Sequence, residues 1–214
     1  MVSQKVQRNF WPKVLGAGPG SSKYFTTILL SSLKDAETVV ASSRILQEIK
    51  KISATDAELI ELPKGGELYE FLNTIKSKER TYVLSTGDPM VSGLGKFFPE
   101  SEIEPGISSI QKCASLIHKP INDSAIISSR YKNNYGKISH LIALGLNVYL
   151  LPEPELTVSE VVKKIASNVG YKLRLHICID VSLDTERVYV GSVEDFMNLD
   201  DNGLKVIFVE PSPS

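Results

Sequence analysis

The chain has 214 residues, 42% hydrophobic and 23% charged, with 24 basic residues against 25 acidic ones. That length implies one large domain or two small ones, since domains run to roughly 100–200 residues. No Lys/Arg run is long enough to track a phosphate backbone, so nucleic acid is excluded as a first-choice partner. Cys113 and Cys178 are far apart and lack CxxC spacing; each falls in an apolar pattern, which reads as two buried thiols. Three scattered histidines give a zinc site no support. Met1 to Lys13 has no apolar segment of secretory type. The longest apolar stretch, Leu141 to Leu151, is broken by Gly145 and Asn147 and falls short of the about 20 residues that span a bilayer. A cytoplasmic protein without membrane association is expected.

Strand and helix periods alternate from the start. Pro12–Leu15 is a strand, and Ser22–Leu33 a helix with Phe25, Leu29 and Leu33 at four-residue spacing. Glu37–Ala41 is a strand, Arg44–Lys50 a helix, Leu59–Leu62 a weak strand and Glu67–Ile75 a helix. Thr81–Leu84 is a buried strand, completing the βαβ series of a mostly parallel sheet covered by helices. The pattern shifts near 99–104, which divides the chain into 1–101 and 102–214.

Past the shift, Ile107–Ile117 is helical, Ser124–Ile127 a strand and Ser128–Asn134 a polar loop. Lys137–Leu144 and Thr157–Val169 are helices flanking a strand at Val148–Leu151. Leu173–Ile179, Arg187–Val190 and Leu204–Val209 follow as strands with only a short helix, Val193–Met197, among them. Hairpin-like pairing there predicts a mixed sheet with antiparallel strands. The fold class is α/β in two parts.

Three loops carry candidate chemistry. Gly16-Ala17-Gly18-Pro19-Gly20 follows the first strand, where glycines permit a tight turn and close approach to a ligand. A dinucleotide loop is disfavoured: Pro19 sits inside the pattern, and Val39-Val40 run into Ala41-Ser42-Ser43 with no acidic residue for a ribose. A Walker loop fails for want of Gly-Lys-Ser/Thr. Alone, such a loop reads equally as a structural turn. Ser85-Thr86-Gly87-Asp88-Pro89 ends a buried strand, and its plain reading is a helix start capped by Asp88 with Pro89 in the first position. Glu104-Pro105-Gly106-Ile107-Ser108-Ser109 also reads by itself as a helix N-terminus.

In order and spacing the three loops resemble the tetrapyrrole (corrin/porphyrin) methylase family, and within it the cobalt-precorrin-7 C5-methyltransferase branch. The resemblance extends from Lys13 to Glu210 and includes Asp184-Thr185-Glu186-Arg187 and Gly191-Ser192-Val193. One loop departs: where that branch tends to have Ser-x-His-Gly-Arg, this chain has Ser128-Ser129-Arg130.

The resemblance implies two α/β domains with the active site between them, a homodimer, and S-adenosyl-L-methionine as cofactor. It implies cofactor contacts at Thr86, Gly87, Asp88, Val91, Ser108 and Ser109, with Pro19 and Leu151 as further contacts. The substrate would be a corrin precursor, a flat macrocycle rich in carboxylates, for which Gly18, Lys23, Tyr24, Arg44 and Arg130 are the candidates. For Lys23, Arg44 and Arg130 the alternative is an ordinary solvated charge. Tyr131 and Tyr135 either face the macrocycle or staple their loop. No nucleophilic triad is expected, and no general base can be named. Pairing with a separate C15-methylating, decarboxylating enzyme is a further implication. The alternatives are another ring methylase, diphthine synthase of the same fold, or a nucleotide-binding oxidoreductase.

Overall fold

The computed structural model describes residues 11–63, 65–76, 78–170 and 172–212. Most of the segment read as lacking a secretory signal therefore lies outside the described residues.

The first compact unit runs to Ser108. Its strands are β1 (Lys13–Gly16), β2 (Thr38–Ala41), β3 (Glu58–Glu61), β4 (Thr81–Ser85) and β5 (Ile103–Glu104), in the order β3-β2-β4-β1-β5. Every pairing among them is parallel. Helices α1 (Thr27–Lys34), α2 (Ser43–Lys51) and α3 (Glu67–Thr74) connect the first four. Parallel strands buried on both faces read as continuous apolar runs, as Thr38–Ala41 and Thr81–Ser85 do, all buried. On one face Leu15, Val39, Tyr82 and Leu84 pack with Leu29 and Leu33 of α1 and Ile45 and Ile49 of α2. On the other, Val14, Val40 and Val83 pack with Leu72, Ile75 and Phe98.

One expectation for this unit changes. The helix anticipated over 22–33 is two pieces: a single 3-10 turn at Ser22–Tyr24, then α1 from Thr27. Thr26 separates them, because its hydroxyl accepts from Leu29 N at 3.1 Å and caps the second piece while its own backbone is extended. The first unit also takes in β5. That two-residue strand hydrogen-bonds β1, with Lys13 and Glu102 paired beside it at 2.9 Å.

The second unit starts with α4 (Ser109–Ile117) and continues through β6 (Ser124–Ser128), α5 (Gly136–Ala143), β7 (Asn147–Leu151) and α6 (Val158–Asn168). It ends with β8 (Leu173–Ile179), β9 (Arg187–Ser192), α7 (Val193–Phe196) and β10 (Lys205–Pro211). The strand order is β6-β7-β10-β8-β9. β6 and β7 are parallel and the remaining pairings antiparallel, so the anticipated mixed sheet is present. One face packs Leu150, Leu175, Ile177 and Ile207 against Ile138, Val161, Val162 and Ile165.

The cysteines correct the sequence reading. They are not two thiols but one disulfide, Cys113–Cys178, with Cα atoms 5.8 Å apart, joining α4 to β8. Separate apolar patterns hid the pairing: each local pattern reports burial, and none reports which buried neighbour lies opposite. Among the described residues no helix is long and apolar enough to cross a membrane, and no cluster of potential metal ligands occurs.

Candidate functional site

In the first sheet, β1 leads across to β2 on one side of β4, whereas β4 leads to β5 past β1. The loops leaving β1 and β4 therefore part in opposite directions at adjacent strand ends, the switch point at which open α/β sheets bind ligands. Both glycine loops lie there.

They are joined by main chain. Ala17 N donates to Ser85 O at 2.9 Å, and Gly87 N donates to Gly18 O at 2.6 Å. Gly18 and Gly87 form an isolated antiparallel bridge. Their φ values, 68° and 76°, are ones a side chain rarely adopts. The third loop passes directly over them. A Cβ on Gly106 would lie 2.6 Å from both Gly16 Cα and Gly87 O, and one on Gly16 would collide with the Gly106 backbone. All three sequence motifs thus converge through positions with no room for a methyl group.

Asp88 closes this crossing. The helix start anticipated at Asp88-Pro89 is absent: a turn and bends follow, with a 3-10 turn only at Gly95–Phe97. Asp88 instead accepts from Met90 N (2.7 Å) through Oδ1 and from Gly106 N (3.1 Å) through Oδ2, clamping the second loop to the third. Each carboxylate oxygen keeps a further lone pair for a ligand. Val91 N donates to Asp88 O at 3.2 Å, and the Thr86 hydroxyl lies 3.3 Å from that of Ser42, the residue before α2. Ser108 is buried, as are Gly18 and Pro19. Of the candidate residues, then, Gly18, Pro19, Lys23, Tyr24, Arg44, Thr86, Gly87, Asp88, Val91 and Ser108 belong to the first unit.

Lys23 and Tyr24 sit on the 3-10 turn after the first loop. Tyr24 folds back on the glycines, since a Cβ on Gly18 would be 2.9 Å from Tyr24 Cβ. Lys23 is exposed, and Arg44 occupies the first turn of α2. A residue that sequence reasoning missed holds this turn. Glu48 of α2 accepts from both Ser22 N and Ser22 Oγ at 2.7 Å, and those hydrogen bonds draw its carboxyl below the ordinary carboxylate range. Its available signal was an acidic residue within α2 on the half-buried side, next to Ile49.

The remaining candidates lie in the second unit. Ser109 opens α4, and Leu151, buried, ends β7. Arg130 follows β6 in a loop pinned by Asn134, whose Nδ2 donates to Ser128 O at 2.6 Å. Tyr131 is exposed, while Tyr135 is fully buried with its hydroxyl on Glu153, which settles Tyr135 as a staple.

Chemically the first-unit site offers main-chain groups, hydroxyls and one carboxylate around a rigid crossing. That set can hold and orient a small polar ligand; it contains no Ser–His or Cys–His pair to form a covalent intermediate.

Comparison with known proteins identifies the family. The model of the tetrapyrrole (corrin/porphyrin) methylases matches residues 14–196. The probable cobalt-precorrin-7 C(5)-methyltransferase of Methanocaldococcus jannaschii is 31% identical over 213 residues, 92% of this chain and 96% of that protein. The cobalamin biosynthesis precorrin-6Y methylase of Archaeoglobus fulgidus superposes with a TM-score of 0.72 at 21% identity, covering 94% of this chain and 97% of that one. The uroporphyrin-III C-methyl transferase of Thermus thermophilus, solved with S-adenyl homocysteine, gives a TM-score of 0.70 at 17% identity, covering 93% and 97%. The chain therefore belongs to the tetrapyrrole methylases and is a methyltransferase of that family.

Proposed function

We propose that the protein catalyses S-adenosylmethionine-dependent C-methylation of a corrin precursor in cobalamin biosynthesis, at C5 of cobalt-precorrin-7. The observation that carries the reading is the convergence of the three loops at the β1/β4 switch point in a chain of which 92% aligns with the Methanocaldococcus protein. The choice of carbon rests on that relative's name; the choice of cofactor is supported by the ligand in the Thermus structure.

The residues present fit such a cofactor. Its α-ammonium needs acceptors, which the Asp88 carboxylate and the Thr86 hydroxyl supply. Pro19, Gly87, Val91, Ser108, Ser109 and Leu151 complete the proposed contact set, the two serines offering hydroxyl and main-chain groups to an adenine edge. When bound, S-adenosylmethionine supplies an electrophilic sulfonium methyl. The protein's share is alignment and exclusion of water: holding carbon, methyl and sulfur in line is worth on the order of 7–11 kcal/mol. The clamped glycine crossing, which cannot yield without backbone movement, suits that task. Lys23, Arg44 and Arg130 would take the macrocycle's carboxylates, with Gly18 and Tyr24 beneath its face. Homodimeric assembly, a cytoplasmic location and functional pairing with a C15-methyltransferase/decarboxylase belong to the same proposal.

Two measurements test it. Calorimetry should show binding of S-adenosylmethionine and none of NAD; the reverse pattern overturns the reaction class. Incubation with cofactor and cobalt-precorrin-7 should add one methyl by mass spectrometry, and its location at another carbon, or no gain, rejects the C5 assignment.

A further inference from the structure

β6 and β7 are a parallel pair, and the loops leaving their carboxyl ends carry Arg130 and follow Leu151, respectively. Two ties join these loops. Ser129 N donates to Leu151 O at 2.9 Å, extending the strand pairing by one bond. Farther out, Tyr135 OH donates to Glu153 Oε2 at 2.6 Å, across 18 residues of sequence. Lys164 of α6 donates to Glu153 Oε1 at 2.9 Å, and its ammonium lies 5.4 Å from the Tyr135 ring centroid. The three side chains form a closed triangle: phenol to carboxylate, ammonium to carboxylate, ammonium over ring.

We propose that Glu153 is a positioning residue for substrate and cofactor binding, tying the Arg130 loop to the loop after Leu151 so that both are presented as one rigid piece. The inference rests on the functional reading above, in which Arg130 meets the substrate and Leu151 the cofactor.

The chemistry of the triangle favours a carboxylate at this place. Tyr135 is fully buried, so its hydroxyl must find an acceptor, and the side chain of Glu153 is only 15% exposed. Burial works to raise the Glu153 carboxyl, but the hydrogen bonds from Tyr135 and Lys164 outweigh it and hold the group below its ordinary range. Burial, then the neighbouring carboxylate, pushes the Tyr135 phenol up, so it stays a donor at every working pH. A carboxylate takes two donors and brings none of its own. A glutamine would turn an amide NH2 toward one of two donors and break the triangle.

The test uses Tyr135→Phe and Glu153→Gln, which keep nearly the same volume, beside the wild-type protein. Amide hydrogen exchange of the ligand-free protein should show residues 129–134 and 152–156 exchanging about tenfold faster together in both variants, consistent with loss of one charge-assisted hydrogen bond. The Kd for S-adenosylhomocysteine and the KM for the corrin substrate should rise about five- to tenfold, with kcat changed less than about twofold. Loops that exchange as in the wild type overturn the tie. Loops that loosen with Kd and KM unchanged overturn the positioning role and leave a structural staple. A wild-type protein that fails to bind S-adenosylhomocysteine defeats the cofactor reading instead, and the exchange result still decides the tie.

Discussion

Around the ends of β1 and β4 the close contacts are main chain on main chain: Gly18 with Gly87, Gly16 with Gly106, and a carboxylate whose oxygens both hold backbone N–H groups. The second unit is held differently. Glu153 gathers Tyr135 and Lys164, Glu210 gathers Lys119 and His176, and Arg187 forks onto Asp201, all through side chains, with a disulfide beside them. A crossing made of backbone depends first on the absence of atoms, with the Asp88 carboxylate as its one charged clamp. A frame made of side chains depends on their ionisation and can be removed one group at a time. The first unit should thus be sensitive to added methyl groups, and the second to covalent and charge changes.

The largest expected break is in the second unit. Replacing Cys113 and Cys178 together by alanine releases a constraint spanning 65 residues. That should cost about 4 kcal/mol on the chain-entropy account, read as a lower urea midpoint by circular dichroism; an unchanged midpoint would show that packing of α4 on β8 suffices alone. Next is Gly16→Ala in the first unit. Its new Cβ meets Gly106 backbone, which cannot swing away as a side chain could, so about 3 kcal/mol is expected. Cofactor binding should fall with it by calorimetry, and retained binding would separate the glycine crossing from the site.

Smaller effects sharpen the contrast. Thr157→Ala removes the hydroxyl that accepts from Glu160 N at 3.2 Å at the start of α6, for a loss of about 1 kcal/mol in thermal or urea unfolding. The pH dependence has a definite sign. Burial works to raise Glu153 and Glu210, yet hydrogen bonds from Tyr135 and Lys164, and from Lys119 and His176, leave both folded-state values below the ordinary one. Their contribution is complete above the unfolded value of about 4.3 and is lost as pH falls through the lower folded-state values. Glu210→Gln should flatten this acid limb in a titration of unfolding free energy, whereas Gly16→Ala should shift the whole profile and leave its slope alone.

Much of the architecture was legible because it is written in local terms. Val39-Val40 and Leu173–Ile179 state their strands by apolar runs, and the apolar spacing over 157–169 states α6. The loops were legible because glycine, proline and small hydroxyl residues are demanded by turns and tight approaches. Other features were not. The break at Thr26 lay inside a pattern with good helical spacing, where a cap hydrogen bond outweighed the period. β5 is too short to carry any period, and its existence depends on β1 offering a free edge.

The amino-acid sequence by itself determined the alternation of elements, the parallel first half and mixed second half, and the family, since periodicity and loop composition act within a few residues of chain. Tertiary structure alone decided that Gly16, Gly87 and Gly106 share one crossing, that Asp88 clamps loops instead of starting a helix, that Cys113 meets Cys178, and that Tyr135 reaches Glu153. The physical reason is the same for each: these are contacts between groups distant along the chain, and burial or turn propensity specifies that a group needs a partner without specifying which one.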